Sequence, residues 1–365
     1  MPRLSQERTI ASAKMQGCHI MAAAKIQTMK EIGSEFWISD TRIVPVKERE
    51  GLFVLSGRTA IDLILQDIQK RMNVRNVYMP AYCCDSMIAP FLQRNIRVDF
   101  YDMFFEGGLN YEIDTDKDVD ILYVSNYFGY ENTLPDELIK HFKSKGSVIL
   151  YDRTHSYLME NQQERHTDYA FVSLRKWMGV VTGAKVEGLD QVDLSECPYA
   201  DAKAQAMRAK YQYLNGNLSV EKTSFLEAFA NFGKQLEMDY RDYGMDDLSY
   251  ALFKSQDWER MRTRRRANAA YLHEHLQLDF LGELSDEACP LFVPLIFASH
   301  AARERVRQAL IKTQIYCPVH WPKNRMITPE MKVNQLFDHE LSLICDQRYG
   351  LEEMAFIVKK IQESI

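Results

Sequence analysis

From Leu52 onward the chain alternates between short apolar runs and amphipathic stretches of helical period, the pattern of a parallel sheet wrapped by helices. The run 52–57 (LFVLSG) predicts a strand closing in a small-residue turn, and 58–72 predicts a helix with Ile61, Leu63, Ile64, Leu65 and Ile68 on one face. Further strands are expected at 74–80, ended by Pro80, at 96–103, at 118–130, and at 147–156, where the last residues turn polar. Helices are expected at 85–95 and 135–146, the second opening on Pro135 and stopping at Gly146. Residues 168–188 read as two strands joined by a glycine-containing turn, an antiparallel or edge portion of the sheet. A long helical pattern fills 200–278. The last part changes character, with a strand at 291–297, a helix at 301–313, a strand at 315–322 and a closing helix from about 351.

At 365 residues the chain exceeds one ordinary domain, so two domains are expected. The pattern divides it into an N-terminal helical extension (1–34), a large α/β domain (35–245) and a smaller α+β domain (246–365). Met15, Met21 and Met29 leave the translation start open.

Composition, 46% hydrophobic and 26% charged, is that of an ordinary globular protein. A net charge of -6 argues against nucleic acid or an anionic membrane as the main partner. Arg262, Arg264, Arg265 and Arg266 form the one candidate basic patch; in a helical pattern rich in Glu and Gln they read as a solvated face or an inter-subunit salt bridge. The seven cysteines are odd in number and lack C-x-x-C spacing, which fits a reducing compartment. Without a long apolar stretch or a signal-peptide pattern, a cytoplasmic location is expected. No His, Asp and Glu cluster has ligand spacing, so no metal is expected.

In an open parallel sheet, ligands bind beyond the carboxyl ends of the strands. Three such ends carry chemistry here. At SGRTA (56–60) a small-residue turn opens a helix, a ready anion site, although small polar residues cap most helices. Asp152, followed by Thr154 and His155, ends a very apolar strand; it is either a cap or an acid kept ionised by a cationic partner such as a protonated pyridine nitrogen. SLRKW (173–177) sets Ser173 and Lys176 three apart at the end of another apolar strand. That lysine is either a surface residue beside Arg175 or, with a lowered proton affinity, an amine able to form an imine.

The order anion turn, strand-end Asp, Ser-x-x-Lys resembles that of cofactor contacts in fold-type-I pyridoxal-phosphate (PLP) enzymes. From Glu31 to the C-terminus the chain is similar to DegT/StrS-type sugar aminotransferases, in SGRTA, VYMPAYCCDSMIAPFLQRNIRVDFYD, YDRTHSYL, DYAFVSLRKWMGVVTGA, IYCPVHWP and LSLICDQRYGLEEM. The resemblance implies a mainly parallel, seven-stranded-type sheet with helices on both faces and a smaller α+β domain. It makes Lys176 the Schiff-base lysine, Asp152 the partner of the pyridine nitrogen and His155 the neighbour of the 3-hydroxyl. Ser173, Gly57, Arg58 and Thr59 fall near the phosphate, and Tyr82 or Cys84 in the segment that covers the ring, Tyr82 having the better stacking chemistry.

The function so implied is transfer of an amino group, with glutamate as expected donor, to a keto-sugar, nucleotide-linked, in surface polysaccharide or glycan biosynthesis, by a homodimer. A lyase or dehydratase on the same fold and a non-catalytic relative are the alternatives; the related sugar dehydratases replace the lysine with His, whereas Lys176 is present here. Two departures bear on the substrate. Asp242 in YRDYGMDDLS (240–249) stands where the family carries an Asn that reaches a neighbouring subunit's phosphate, and 200–238 is helical where a β-hairpin is usual. Asn126, Tyr127, His320 and Trp321 are further cleft candidates.

Overall fold

In the central strands, successive residues belong to opposite sides of the sheet. Ile121 and Tyr123 pack in one core with Ile61, Ile64, Leu65 and Ile68, while Leu122 and Val124 pack in another with Ile139, Phe142, Leu336 and Phe337. Strands apolar on both faces need helices on both, which is why they read as unbroken apolar runs. The computed structural model describes residues 31–39, 44, 46, 48–160 and 166–365. The helix expected over 1–34 lies outside these residues up to Lys30, as does Cys18.

The described chain opens with β1 (Ile32–Gly33), β2 (Leu52–Val54), α1 (Gly57–Gln69), β3 (Asn76–Pro80), α2 (Asp85–Gln93), β4 (Arg97–Phe105) and β5 (Leu109–Glu112). It continues through β6 (Ile121–Ser125), α3 (Asp136–Ser144), β7 (Val148–Asp152), β8 (Tyr169–Ser173), a single 3-10 turn at Leu174–Lys176 and β9 (Ala184–Glu187). Four helices follow: α4 (Ala200–Leu214), α5 (Lys222–Met238), α6 (Asp247–Lys254) and α7 (Trp258–His275). The remainder is β10 (Asp279–Phe280), β11 (Val293–Ile296), α8 (His300–Lys312), β12 (Ile315–Tyr316), α9 (Asn334–His339), β13 (Glu340–Leu343) and α10 (Leu351–Gln362).

The main sheet has eight strands in the order β2-β9-β8-β7-β6-β3-β4-β5. Strands β8, β7, β6, β3 and β4 run parallel; β9 is antiparallel to β8 and β2, and β5 to β4. The expected antiparallel portion at 168–188 is therefore present. The eighth strand, β5, was missed: it is a half-exposed edge strand returning through Gly107 and Gly108, without the apolar run that marks buried strands. Register places Ser125 opposite Asp152, and Asp152 opposite Phe171, so the ends of β6, β7 and β8 lie side by side.

Two strand expectations are corrected. The run 118–130 is a strand only over Ile121–Ser125, because Asn126 turns the chain: its Nδ2 donates to Tyr130 O (2.5 Å) and Thr133 Oγ1 (3.0 Å). Gly129 follows with φ 81°, and a Cβ there would meet Cys289 O at 2.0 Å, so no other residue fits. In 315–322 only Ile315–Tyr316 is strand, paired in parallel with β1, which replaces the helix expected over 31–34. The small-residue turn expected after the first strand is present: β2 ends at Val54, and α1 opens at Gly57, capped by the Ser56 hydroxyl on Thr59 N.

The C-terminal sheet, β10-β11-β13, is antiparallel. The arginine run is a solvated face only in part: Arg264 is exposed, but Arg265 is fully buried, with Nη1 donating to Pro290 O and Leu291 O, Nη2 to Trp177 O, and Nε to Gln347 Oε1. Arg262 and Arg266 bind Glu160 and the carbonyls of Ser285 and Ala288. Arg265 thereby pins the residue next to Lys176 to the C-terminal part. Arg265→Met, which keeps bulk but strands those carbonyls, is expected to cost about 2–4 kcal/mol in chemical denaturation.

Candidate functional site

Two cavities meet at the carboxyl ends of β7 and β8, and both are lined by Ser173, Arg175 and Lys176. The smaller, about 280 Å³, is closed by the α1 N-terminus (Ser56, Gly57, Arg58), by Ser125 and Asp152 at the ends of β6 and β7, and by His155 and Trp321. The larger, about 500 Å³, extends between Lys176, Arg307, His320 and Arg348.

The turn that carries Lys176 is held from several sides. Leu174 N donates to Gly183 O (3.1 Å), Trp177 N to Leu174 O (2.9 Å), and the fully buried Trp177 donates from Nε1 to Thr154 O (2.6 Å). Thr154 is the staple between the two functional strand ends. Its N–H donates to Asp152 Oδ1 (2.8 Å), and its Oγ1 accepts from Ser173 N (3.1 Å). The Lys176 side chain is exposed and lines both cavities, and among the described residues nothing hydrogen-bonds its Nζ. Desolvation lowers its proton affinity, the nearby Arg175 and Arg58 add to that, and Cys84 and Glu35 oppose it. A neutral, unengaged amine is what imine chemistry requires.

Asp152 is buried and accepts a second hydrogen bond from Tyr123 Oη on Oδ2 (2.8 Å). Burial still raises its pKa above the ordinary carboxylate value, against the pull of Thr154, Tyr123 and Lys176. His155 is neutral, its pKa pushed down to about 3 by burial and by the Lys176 charge. Its Nδ1 accepts from Phe128 N (3.1 Å), which places the proton on Nε2. Phe128 adopts φ 61° to make that contact, local strain spent beside the site. The His155 ring stacks on Trp321, centroids 5.8 Å apart.

Of the residues expected from sequence, Gly57, Arg58, Asp152, His155, Ser173 and Lys176 share the smaller cavity, as do Asn126, Tyr127 and Trp321. Thr59 is next to it, with its hydroxyl engaged by Tyr240 O (2.7 Å) and Ser56 Oγ (3.0 Å). Tyr82 packs behind the wall against Tyr127, Trp321 and Phe337, while Cys84 lines the cavity. Asp242 accepts from Gln66 Nε2 (3.1 Å) and does not line it. Sequence reasoning missed Ser125, whose buried Oγ has no hydrogen-bond partner among the described residues, and Gly233, Leu236 and Glu237 of α5, which also line the cavity. Ser125 was legible as the polar end of an apolar strand; the α5 residues carried no signal.

A cavity lined by a helix N-terminus able to bind an anion, a buried carboxylate, an amine without a hydrogen-bond partner among the described residues and a buried serine hydroxyl likewise without one fits PLP. The fold is the mainly parallel α/β fold-type-I fold seen in solved sugar aminotransferases of the DegT/DnrJ/EryC1/StrS type. No family model and no curated protein matches the chain. Solved structures do: Helicobacter pylori PseC, an aminotransferase involved in the biosynthesis of pseudoaminic acid, matches at TM-score 0.64 and 12% identity, over 92% of this chain and 99% of that one. Spr1654 from Streptococcus pneumoniae, solved in apo-, PLP- and PMP-forms, matches in the apo-form at TM-score 0.62 and 14% identity, over 86% and 85% of the two chains. The sugar aminotransferase CalS13 from Micromonospora echinospora matches at TM-score 0.56 and 14% identity, over 86% and 87%.

Proposed function

We propose that this chain is a PLP-dependent aminotransferase acting on a keto-sugar, with glutamate as donor. The observation that carries the reading is the Lys176 amine, its proton affinity lowered, sharing one cavity with the Asp152 carboxylate and the α1 N-terminus. Bound in the smaller cavity, PLP would supply an electron sink for charge developing on the carbon that bears the amino group.

The residues divide the remaining work. The N–H groups of Gly57 and Arg58, the Arg58 guanidinium and the Ser173 hydroxyl would hold the phosphate. Asp152, desolvated and already short of positive charge, would favour a protonated ring nitrogen. His155 would offer its Nε2–H to the ring oxygen. Lys176 would anchor the cofactor, and its amine would take and return the proton at the carbon that bears the amino group. Nucleotide linkage of the sugar, a role in surface polysaccharide biosynthesis, a homodimer and a cytoplasmic location complete the proposal. The solved sugar aminotransferases support the substrate class; six described cysteines, all free, and the lack of any described helix long and apolar enough to cross a membrane fit the location.

The test is an absorption scan of purified protein incubated with PLP and then with L-glutamate. A near-violet band of lysine-bound cofactor is expected, bleached by glutamate with release of 2-oxoglutarate. Failure to develop the band would sink the cofactor reading; a band indifferent to glutamate would sink only the donor.

A further inference from the structure

Beside the larger cavity lies a buried polar chain that the proposed reaction has not used. His320 lines that cavity; its backbone N–H donates to Glu340 Oε2 (2.9 Å), its ring Nδ1 is 2.8 Å from Ser342 Oγ, and the Ser342 hydroxyl donates to Glu340 Oε1. All three residues are buried, Glu340 and Ser342 completely. They face one another because β13 alternates: Glu340 and Ser342 point to one side, opposite Ile296 and Pro294 of β11, which bring no titratable group. Among the described residues nothing hydrogen-bonds His320 Nε2, leaving it as the open end of the chain. The other groups facing it are Tyr82, Arg303 and the Cys317 thiol around Glu340, and His155 and Lys176 around His320.

We propose that His320, Ser342 and Glu340 form a proton relay that takes the ammonium proton from an amine entering the larger cavity, so that the amine arrives beside Lys176 as a nucleophile. This rests on the aminotransferase reading for its substrate but not for its geometry. The step balances within the chain. The ammonium N–H gives its proton to Nε2, the Nδ1 proton passes to Ser342 Oγ, and the Ser342 hydroxyl proton passes to the Glu340 carboxylate. One ammonium and one carboxylate become one amine and one carboxylic acid, with His320 neutral before and after but in the other tautomer.

The electrostatics agree. Burial pushes the Glu340 carboxyl up to about 8 and holds His320 well below its ordinary value. The proton is therefore stored on the acid rather than the imidazole. Above pH 8 Glu340 is ionised, Ser342 donates to it, and His320 carries its proton on Nδ1 with Nε2 ready to accept. Below that pH the chain reverses, and Nε2 carries the proton.

Two measurements test the relay. In cofactor-free protein labelled with ¹⁵N-histidine, with His320→Asn assigning the resonance, His320 is expected to switch from Nε2–H to Nδ1–H as pH rises through about 8. Glu340→Gln, whose amide donates to Ser342 and so fixes the serine proton toward His320, is expected to hold the Nε2–H form throughout, and Ser342→Ala to uncouple the switch. One tautomer from pH 6 to 10 in the parent protein, or an unchanged switch in Glu340→Gln, would overturn the relay. In PLP-loaded protein at pH 8.5, Glu340→Gln is expected to slow bleaching by L-glutamate about 100-fold and leave capture by hydroxylamine, which arrives neutral, unchanged. Equal slowing of both would also overturn it. If the parent protein takes up no PLP, the aminotransferase reading falls while the tautomer measurement still decides the relay.

Discussion

Lys176→Ala protein is expected to bind PLP without the near-violet band and to lose more than about 10⁴-fold of its rate of reaction with glutamate. A positioned acid or base alone supplies roughly 10²–10⁴, and the same amine also anchors the cofactor. The reason lies in where the side chain stands. It faces both cavities, has no hydrogen-bond partner among the described residues, and is surrounded by enough protein to depress its proton affinity. Lys176→Arg separates charge from nucleophilicity: a guanidinium keeps the cation but stays protonated, so the band should be lost there too. Neither change should destabilise the cofactor-free fold, because each removes or replaces a desolvated cation without a partner. Thermal unfolding without PLP checks this. A variant that keeps both band and glutamate reaction would show that another amine carries the cofactor.

What was legible in the sequence follows from how each element is buried. Strands apolar on both faces announce themselves, and so do the polar residues that must interrupt them at a site: Asp152, Ser173 and Lys176 were found because each ends such a run. Elements defined by partners were not. The strand β13 reads as part of a mixed segment because it carries Glu340 and Ser342 inward, polar residues that only a mutual hydrogen-bond network makes tolerable in the interior. The helix α5 was expected as helix, but which face would close the cavity depends on packing against α4 and on Phe225, Phe229 and Phe232. Tyr82 illustrates the converse: its chemistry suited stacking on a ring, yet the turn after β3 sends it into the aromatic core and leaves Cys84 at the cavity.

Asp152→Asn should move stability and reactivity in opposite directions. In the empty protein the carboxylate is desolvated and its folded pKa is raised, so its ionised form opposes folding. The sign follows: this cost is present at neutral pH and disappears as pH falls through the folded pKa and the group takes up a proton. The Asn variant without PLP is therefore expected to be more stable than the parent at pH 7, by about 1 kcal/mol, with the gap closing in acid. Asn still accepts from Thr154 N, and the Tyr123 hydroxyl can accept from the amide instead of donating. With PLP the order should reverse, because only a carboxylate compensates a protonated ring nitrogen, and the parent then gains more from the ligand. The glutamate half-reaction should fall on the order of 10³-fold, the scale of losing one preorganised electrostatic contact to a developing charge. Thermal unfolding of both proteins with and without PLP, together with stopped-flow bleaching, reads all three effects. A parent more stable when empty and a variant equally reactive would assign Asp152 to holding the ends of β6 and β7 together through Thr154 and Tyr123.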